Sequence, residues 1–156
     1  MHWLIRVVGS YGFLLSIAVA ALYWLRVTRR EKVSIVWELV FGGILALILS
    51  TIASHLYYDT RPFVTEHAVP IIAHAADNGF PSDHTLLTAL IGFTILMHSR
   101  VVGSVLLSVA LLVGVARVAA RIHHPIDIVA SFVIAALSVA IVQVVSRRWS
   151  RKSARS

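Results

Sequence analysis

The chain has no cysteine. That excludes a disulfide framework, a thiolate metal centre and a cysteine nucleophile, though it does not fix the redox compartment. Charge is scarce too: 13% of the 156 residues are Asp, Glu, Lys or Arg, about half the share found in soluble domains. Instead, 58% of the residues are hydrophobic and the mean hydropathy is +0.85. That leaves too little polar surface to cover a water-facing globule, excludes intrinsic disorder, and at this length allows one domain. The chain reads as an integral membrane protein.

A net charge of +7 with a pI near 10.8 would suit nucleic acid, but the placement of the cations excludes that partner. Arg26, Arg29, Arg30 and Lys32 lie between the first two apolar runs, and Arg147, Arg148, Arg151, Lys152 and Arg155 follow the last. Basic clusters beside apolar runs are topology signals.

Five runs have the character of spans: Val7–Leu25, Val33–Ser54 with Glu38 inside it, Ser82–Met97, Val101–Ala116 and Pro125–Val145 with Asp127 near its start. The third and fourth reach a spanning length only if their polar ends continue the helix, with Ser82, His84 and Arg117 at the interface. His98-Ser99-Arg100 between them predicts a tight helical hairpin. The positive-inside rule places the N-terminus outside and the C-terminus in the cytoplasm, which puts both basic clusters and Arg100 on the cytoplasmic side. An odd number of spans agrees. Arg6, an apolar stretch and Ala18-Val19-Ala20 imitate a signal peptide, but the basic cluster that follows opposes export, so the first helix is expected to be retained.

The expected fold is all-α, a compact bundle of five transmembrane helices. Residues 1–146 form a single transmembrane domain and residues 147–156 a basic cytoplasmic tail. The longest outer connection, Tyr57–Pro81, is broken by Pro62, Pro70, Gly79 and Pro81. Within it, Ala68–Ala76 is apolar but too short to span, and is read as interfacial or re-entrant.

Three polar clusters fall on the outer face. They are Asp59-Thr60-Arg61-Pro62, then Gly79-Phe80-Pro81-Ser82-Asp83-His84-Thr85, then the stretch from Arg117 to His123 and Asp127. Arginine offers a fork of donors that matches phosphate oxygens. Ser82 is placed to N-cap a helix whose free N–H groups and positive dipole end attract an anion. Pro125 suits the first turn of the last helix. Asp127, four residues after His123, is spaced to hold that imidazole by Nδ1–H and leave Nε2 free to attack. Taken singly, such residues are ordinary caps and boundary groups, and Arg121, His124, His55, His67 and His74 are read that way. No HExxH or carboxylate–His set has convincing ligand spacing, so no metal is expected.

These residues resemble the type 2 phosphatidic acid phosphatase superfamily, whose pattern is K-x6-R-P, then P-S-G-H, then S-R-x5-H-x3-D. The counterparts are Arg61-Pro62, Pro81-Ser82-Asp83-His84, and Arg117 with His123 and Asp127. Asp83 in place of the motif's Gly is similar to the bacitracin-resistance undecaprenyl-pyrophosphate phosphatases, as is Ala75-Ala76-Asp77-Asn78-Gly79-Phe80. The resemblance covers about residues 33–146. Two positions depart from it: Ser54 stands where the family has lysine, and Ala116 where it has Ser.

The resemblance implies a cofactor-free, metal-independent phosphohydrolase working through a phosphohistidine. His123 is the nucleophile, Asp127 orients it, and His84 is the general acid and base, which gives a bell-shaped pH profile. Arg61, Ser82, Asp83 and Arg117 belong to the phosphate-binding group. The implied substrate is a lipid phosphate reached from the bilayer, foremost undecaprenyl pyrophosphate at the outer face of a bacterial cytoplasmic membrane. Its monophosphate product would be recycled for wall polymer synthesis. A phosphatidylglycerophosphate or phosphatidic acid phosphatase, and a non-catalytic polyprenyl-phosphate carrier, are the alternatives.

Overall fold

A computed structural model of the chain describes residues 2–153, with side chains as far as Ser146. The described residues form six helices: α1 (His2–Arg26), α2 (Arg29–Leu56), α3 (Pro62–Thr65), α4 (Asp83–Leu96), α5 (Arg100–Ala119) and α6 (Pro125–Ser153). Only one isolated β-bridge, Thr60 to Asn78, interrupts the all-helical character of these residues. The basic segment from Arg147, read as a tail, continues α6 as far as Ser153. Its side chains, and residues 154–156 altogether, lie outside the described set.

Four helices are long and apolar enough to cross a membrane: α1, α2, α5 and the Pro125–Ser146 part of α6. The expectation for the two marginal runs divides here. α5 takes in Arg100 and Arg117 and reaches 20 residues, whereas α4 stops at 14, with Ser82 and Met97 as its caps. At 1.5 Å per residue α4 is about 21 Å long, short of a hydrocarbon core of about 30 Å. It is the central helix, touching α1, α2, α5 and α6. Leu86, Ala89, Leu90, Ile91 and Ile95 on it are buried.

The outward surface explains the composition. Leu14, Trp37, Leu47, Leu112, Val129 and Leu137 are exposed, while Ser16, Ser50, Thr88, Thr94 and Ser138 are buried. Lipid tails are as apolar as Leu, so helices in a bilayer gain by close packing and internal hydrogen bonds rather than by hiding hydrocarbon from water. The Thr88 hydroxyl donates to the His84 carbonyl at 2.7 Å, and Ser138 to Ile134 at 2.8 Å. Glu38, the acid inside the second run, finds polar partners within the bundle. Ser34 Oγ donates to it at 2.8 Å and His98 Nε2 stands 2.9 Å away.

The turns follow from their sequences. Thr28 and Glu31 form a reciprocal capping box that starts α2 two residues after α1 ends. The Ser99 hydroxyl caps α5 by accepting from Val102 N–H, which gives the tight α4–α5 hairpin that His98-Ser99-Arg100 predicts. Apart from the one-turn α3, the long connection from Tyr57 is not helical. After α3 it runs across the ends of α1 and α5, where Ile71 N–H donates to Ala120 O at 3.2 Å and Arg6 Nε donates to Ile71 O at 3.2 Å.

Helix α5 approaches α4 so closely at Gly103 that a Cβ there would overlap the backbone of Leu96. At Gly43 a Cβ would meet only the tip of Leu90, at 3.8 Å. Gly103→Ala is therefore expected to destabilise the bundle by about 1–3 kcal/mol, and Gly43→Ala to be neutral or slightly stabilising. Thermal unfolding of both variants in detergent checks this; equal melting temperatures would contradict the packing.

Candidate active site

All three sequence clusters meet at one end of the bundle, where α2 and α5 end and α4 and α6 begin. Arg61 is 5% exposed, Arg117 3%, His123 2%, and Ser82 and Asp127 0%. The site is thus a buried polar cluster rather than a set of surface charges.

His123 lies in the short turn between α5 and α6. Its Nδ1 is 2.8 Å from Gly79 O and 3.1 Å from Asp127 Oδ2. Both partners accept, so Nδ1 carries the proton and Nε2 presents its lone pair. Asp127 in the first turn of α6 is itself held: its Oδ2 also accepts from His124 N–H at 2.9 Å. Gly79 is needed where it stands, because a Cβ there would sit 3.3 Å from Asp127 Oδ2 and from Asp59 O. Burial lowers the His123 pKa below its ordinary value; Arg117 and Arg61 lower it further, and Asp127 opposes them.

Arg61, just before α3, is fixed at every nitrogen. Nε donates to Asp77 Oδ1 at 2.8 Å, one terminal nitrogen to Ile122 O at 2.7 Å, and the other to Asn78 O at 3.2 Å. The first of these terminal groups lies 3.4 Å from His123 Nε2, so the guanidinium faces the atom that would attack. The ion pair holds the Asp77 carboxyl below its usual range. Arg117, on the last turn of α5, donates to Gly9 O at 3.0 Å, and its second terminal nitrogen is 3.4 Å from His74 Nε2. Its Nε is buried without a partner.

Ser82 takes the N-cap position of α4, but its hydroxyl does not cap the helix; it accepts from Thr85 Oγ1 at 3.2 Å. His84 packs edge-on against Phe13, ring centroids 5.2 Å apart. Asp83 is exposed, and a carboxylate cannot donate to phosphate, so it serves an anion only through its backbone N–H. Ser54 turns away, its hydroxyl donating to Thr51 O on its own helix. Arg121 pairs with Glu66 at 3.2 Å on the surface.

Several residues of this site are not visible from spacing alone. Asn78 clamps the connection: its Oδ1 accepts from the N–H groups of Asp59 and Phe80, and its Nδ2 donates to Ser54 O and Tyr57 O. Asp77-Asn78-Gly79 is a turn signal that marks this position without revealing its partners. His124, read as a boundary residue, pairs through Nδ1 with Asp59 Oδ2 at 2.9 Å. Burial and the neighbouring Asp127 push the Asp59 carboxyl up. Asp59, His124 and Asp127 have ligand atoms within 4.8 Å of one another, which is close enough to hold a metal ion. Asp59 Oδ2 and His124 Nδ1 pair with each other and Asp127 Oδ2 with His123 and the His124 N–H, while Asp127 Oδ1 has no partner.

The chain matches the family described as the PAP2 superfamily over residues 35–151. It is 35% identical over 117 residues to a Bacillus licheniformis protein named bacitracin transport permease protein BcrC, covering 74% of this chain and 57% of that one. It is 37% identical over 93 residues to undecaprenyl-diphosphatase BcrC of Bacillus subtilis, covering 60% and 48%. The chain therefore spans about half the length of the curated relatives it matches. Among solved structures, Aquifex aeolicus LpxE superposes with a TM-score of 0.66 at 20% identity, over 90% of this chain and 92% of that one. A PAP2-type phosphatidylglycerolphosphate phosphatase from Bacillus subtilis gives 0.62 at 21%, over 94% and 75%. These likenesses show the fold.

The position of His123 makes its titration a direct test of the geometry. Its midpoint is expected below 6.5, the ordinary histidine value. Asp127→Asn should lower it further, because a carboxylate favours the charged ring. Histidine-selective NMR titration in detergent reads both shifts; a midpoint above the ordinary value would contradict the site as drawn.

Proposed function

The chain belongs to the PAP2 superfamily, and we propose that it is a multi-pass membrane phosphatase that hydrolyses undecaprenyl pyrophosphate to undecaprenyl phosphate and inorganic phosphate. The reading rests on one observation above the rest. His123 is pinned at Nδ1 by two acceptors, so its unprotonated Nε2 faces the Arg61 guanidinium inside a buried, cationic cluster. A neutral imidazole held this way is a nucleophile, and the donors around it fit the oxygens of a phosphoryl group.

In the proposed reaction Nε2 attacks the terminal phosphorus in line, and the bond from phosphorus to the bridging oxygen breaks. The His84 ring, holding a proton once the charge of the substrate is beside it, delivers that proton to the leaving lipid phosphate. Asp127 stabilises the positive charge that His123 acquires. Arg61, Arg117 and the free N–H groups of α4 hold the equatorial oxygens, where developing charge is greatest. Water deprotonated by His84 then attacks the phosphohistidine, releasing inorganic phosphate and restoring the neutral ring. Each step uses groups of the chain itself and calls for no metal.

The choice of substrate draws on the undecaprenyl-diphosphatase name of the Bacillus subtilis relative and on a site at the end of a lipid-exposed bundle. A prenyl chain stays in the bilayer while its headgroup enters the cluster. The positive-inside rule supports a five-span bundle in the cytoplasmic membrane, with α4 as the central span and the site facing outward.

Phosphate release from undecaprenyl pyrophosphate by the purified protein in detergent with EDTA is the deciding assay. Wild type is expected to release phosphate, and His123→Ala to lose at least about a thousandfold, as enzymes do when a nucleophile is removed. Silence of the wild type on this substrate and on phosphatidyl phosphates, with headgroup binding intact, would favour a carrier instead. His84→Ala should damage monophosphate hydrolysis more than pyrophosphate hydrolysis, because an alkoxide needs the proton more than a lipid phosphate does. On the acid side kcat/KM should fall as His123 gains its proton, with a midpoint below 6.5. An acid limb above that value would count against His123.

A further inference from the structure

His74 sits in the middle of the connection that crosses the site, and none of the chemistry above uses it. Its Nε2 lies 3.4 Å from a terminal nitrogen of Arg117, and its ring stands nearly perpendicular to that of His123, centroids 6.3 Å apart. Its Nδ1 is 3.4 Å from Ala75 O and 3.9 Å from Asp77 Oδ1. The segment that carries it is anchored on α5 by the Ile71–Ala120 hydrogen bond and on α1 by Arg6. The ring is therefore held beside the nucleophile and beside the buried guanidinium whose Nε has no partner.

The groups that face this ring are Arg117 from α5, Arg61 from the start of α3, His123 from the α5–α6 turn, His84 from α4, and Asp77 from its own segment. With the site empty, burial and the two arginines keep the ring neutral, against a weaker pull from Asp77. Its Nε2 can then only accept, and the donor pointed at it is Arg117. Neither Ser54, tied to its own helix, nor Arg121, paired with Glu66, supplies a third cation here.

We propose that His74 is a phosphate-binding side chain that becomes cationic only when the site is filled, its Nε2 changing from acceptor of an Arg117 N–H to donor to a phosphate oxygen. A phosphate group with two or more charges neutralises the arginines, frees the Arg117 N–H for its own oxygens, and draws a proton from solvent onto the ring. The empty site avoids a third positive charge beside the two arginines, on a ring that is itself only partly buried, and the filled site has one. Binding should thus be coupled to proton uptake and favour the more highly charged headgroup. This inference rests on the phosphatase reading of the same site.

The test is calorimetric titration of inorganic phosphate into the full-length protein in detergent, at about pH 6 and about pH 8, in buffers of different ionisation enthalpy. Comparison among variants cancels the protonation of the free ion. Wild type should take up protons on binding. His74→Asn should bind about tenfold or more weakly near pH 6, the worth of one charge-assisted hydrogen bond, and should take up fewer protons. His74→Lys, cationic throughout, should bind about as tightly as wild type near pH 6 and more tightly than wild type near pH 8, without the extra uptake. Asn matching wild type in affinity and uptake, while undecaprenyl pyrophosphate is still cleaved, would overturn the role of His74 and leave the phosphatase reading standing. Loss of binding in both variants alike would assign His74 to structure alone and overturn it as well. A wild type that neither binds phosphate nor cleaves the lipid would remove both.

Discussion

Two guanidinium groups, Arg61 and Arg117, are buried at the same end of this bundle and are partnered very differently. Asp77 pairs with Arg61, whereas Arg117 has a backbone carbonyl, the edge of His74 and an unpartnered Nε. A buried charge without a full set of partners is costly, and Arg117 is the less completely partnered of the two. Burial first, and the two arginines after it, lower the pKa of the His123 and His74 rings, while the hydrogen bond from Arg61 depresses the Asp77 carboxyl. In the proposed function, a phosphate oxygen is the partner that the Arg117 guanidinium lacks.

The same reasoning separates the two carboxylates near the nucleophile. Asp127 is buried, and its Oδ2 both faces His123 and receives the His124 N–H, while its Oδ1 has no partner. Asp59 sits behind it against His124, its carboxyl pushed up by burial and by Asp127 itself.

Legibility in the sequence followed range of action. Arg61, Ser82, Arg117, His123 and Asp127 were readable because each sits at a helix end whose position is set locally, and because the four-residue step from His123 to Asp127 brings their side chains together at the turn into α6. The hairpin at Ser99 and the helix start at Pro125 were readable for the same reason. The connection through Asn78 and His74 was not, because its shape comes from hydrogen bonds to Ser54, Tyr57 and Ala120 that are distant in sequence. Hydropathy alone also left α4 marginal. A window of apolar residues looks alike whether it faces lipid or four other helices, and only the second environment permits a helix of 14 residues.

That short central helix determines the depth of the site. His84 packs on Phe13, and Gly9 of α1 faces Ala116 of α5, so α4 begins level with the third turn of α1. The start of α4, His123 and both arginines lie together at this end of the bundle, and in the proposed function the short helix is what brings its first N–H groups to the phosphate.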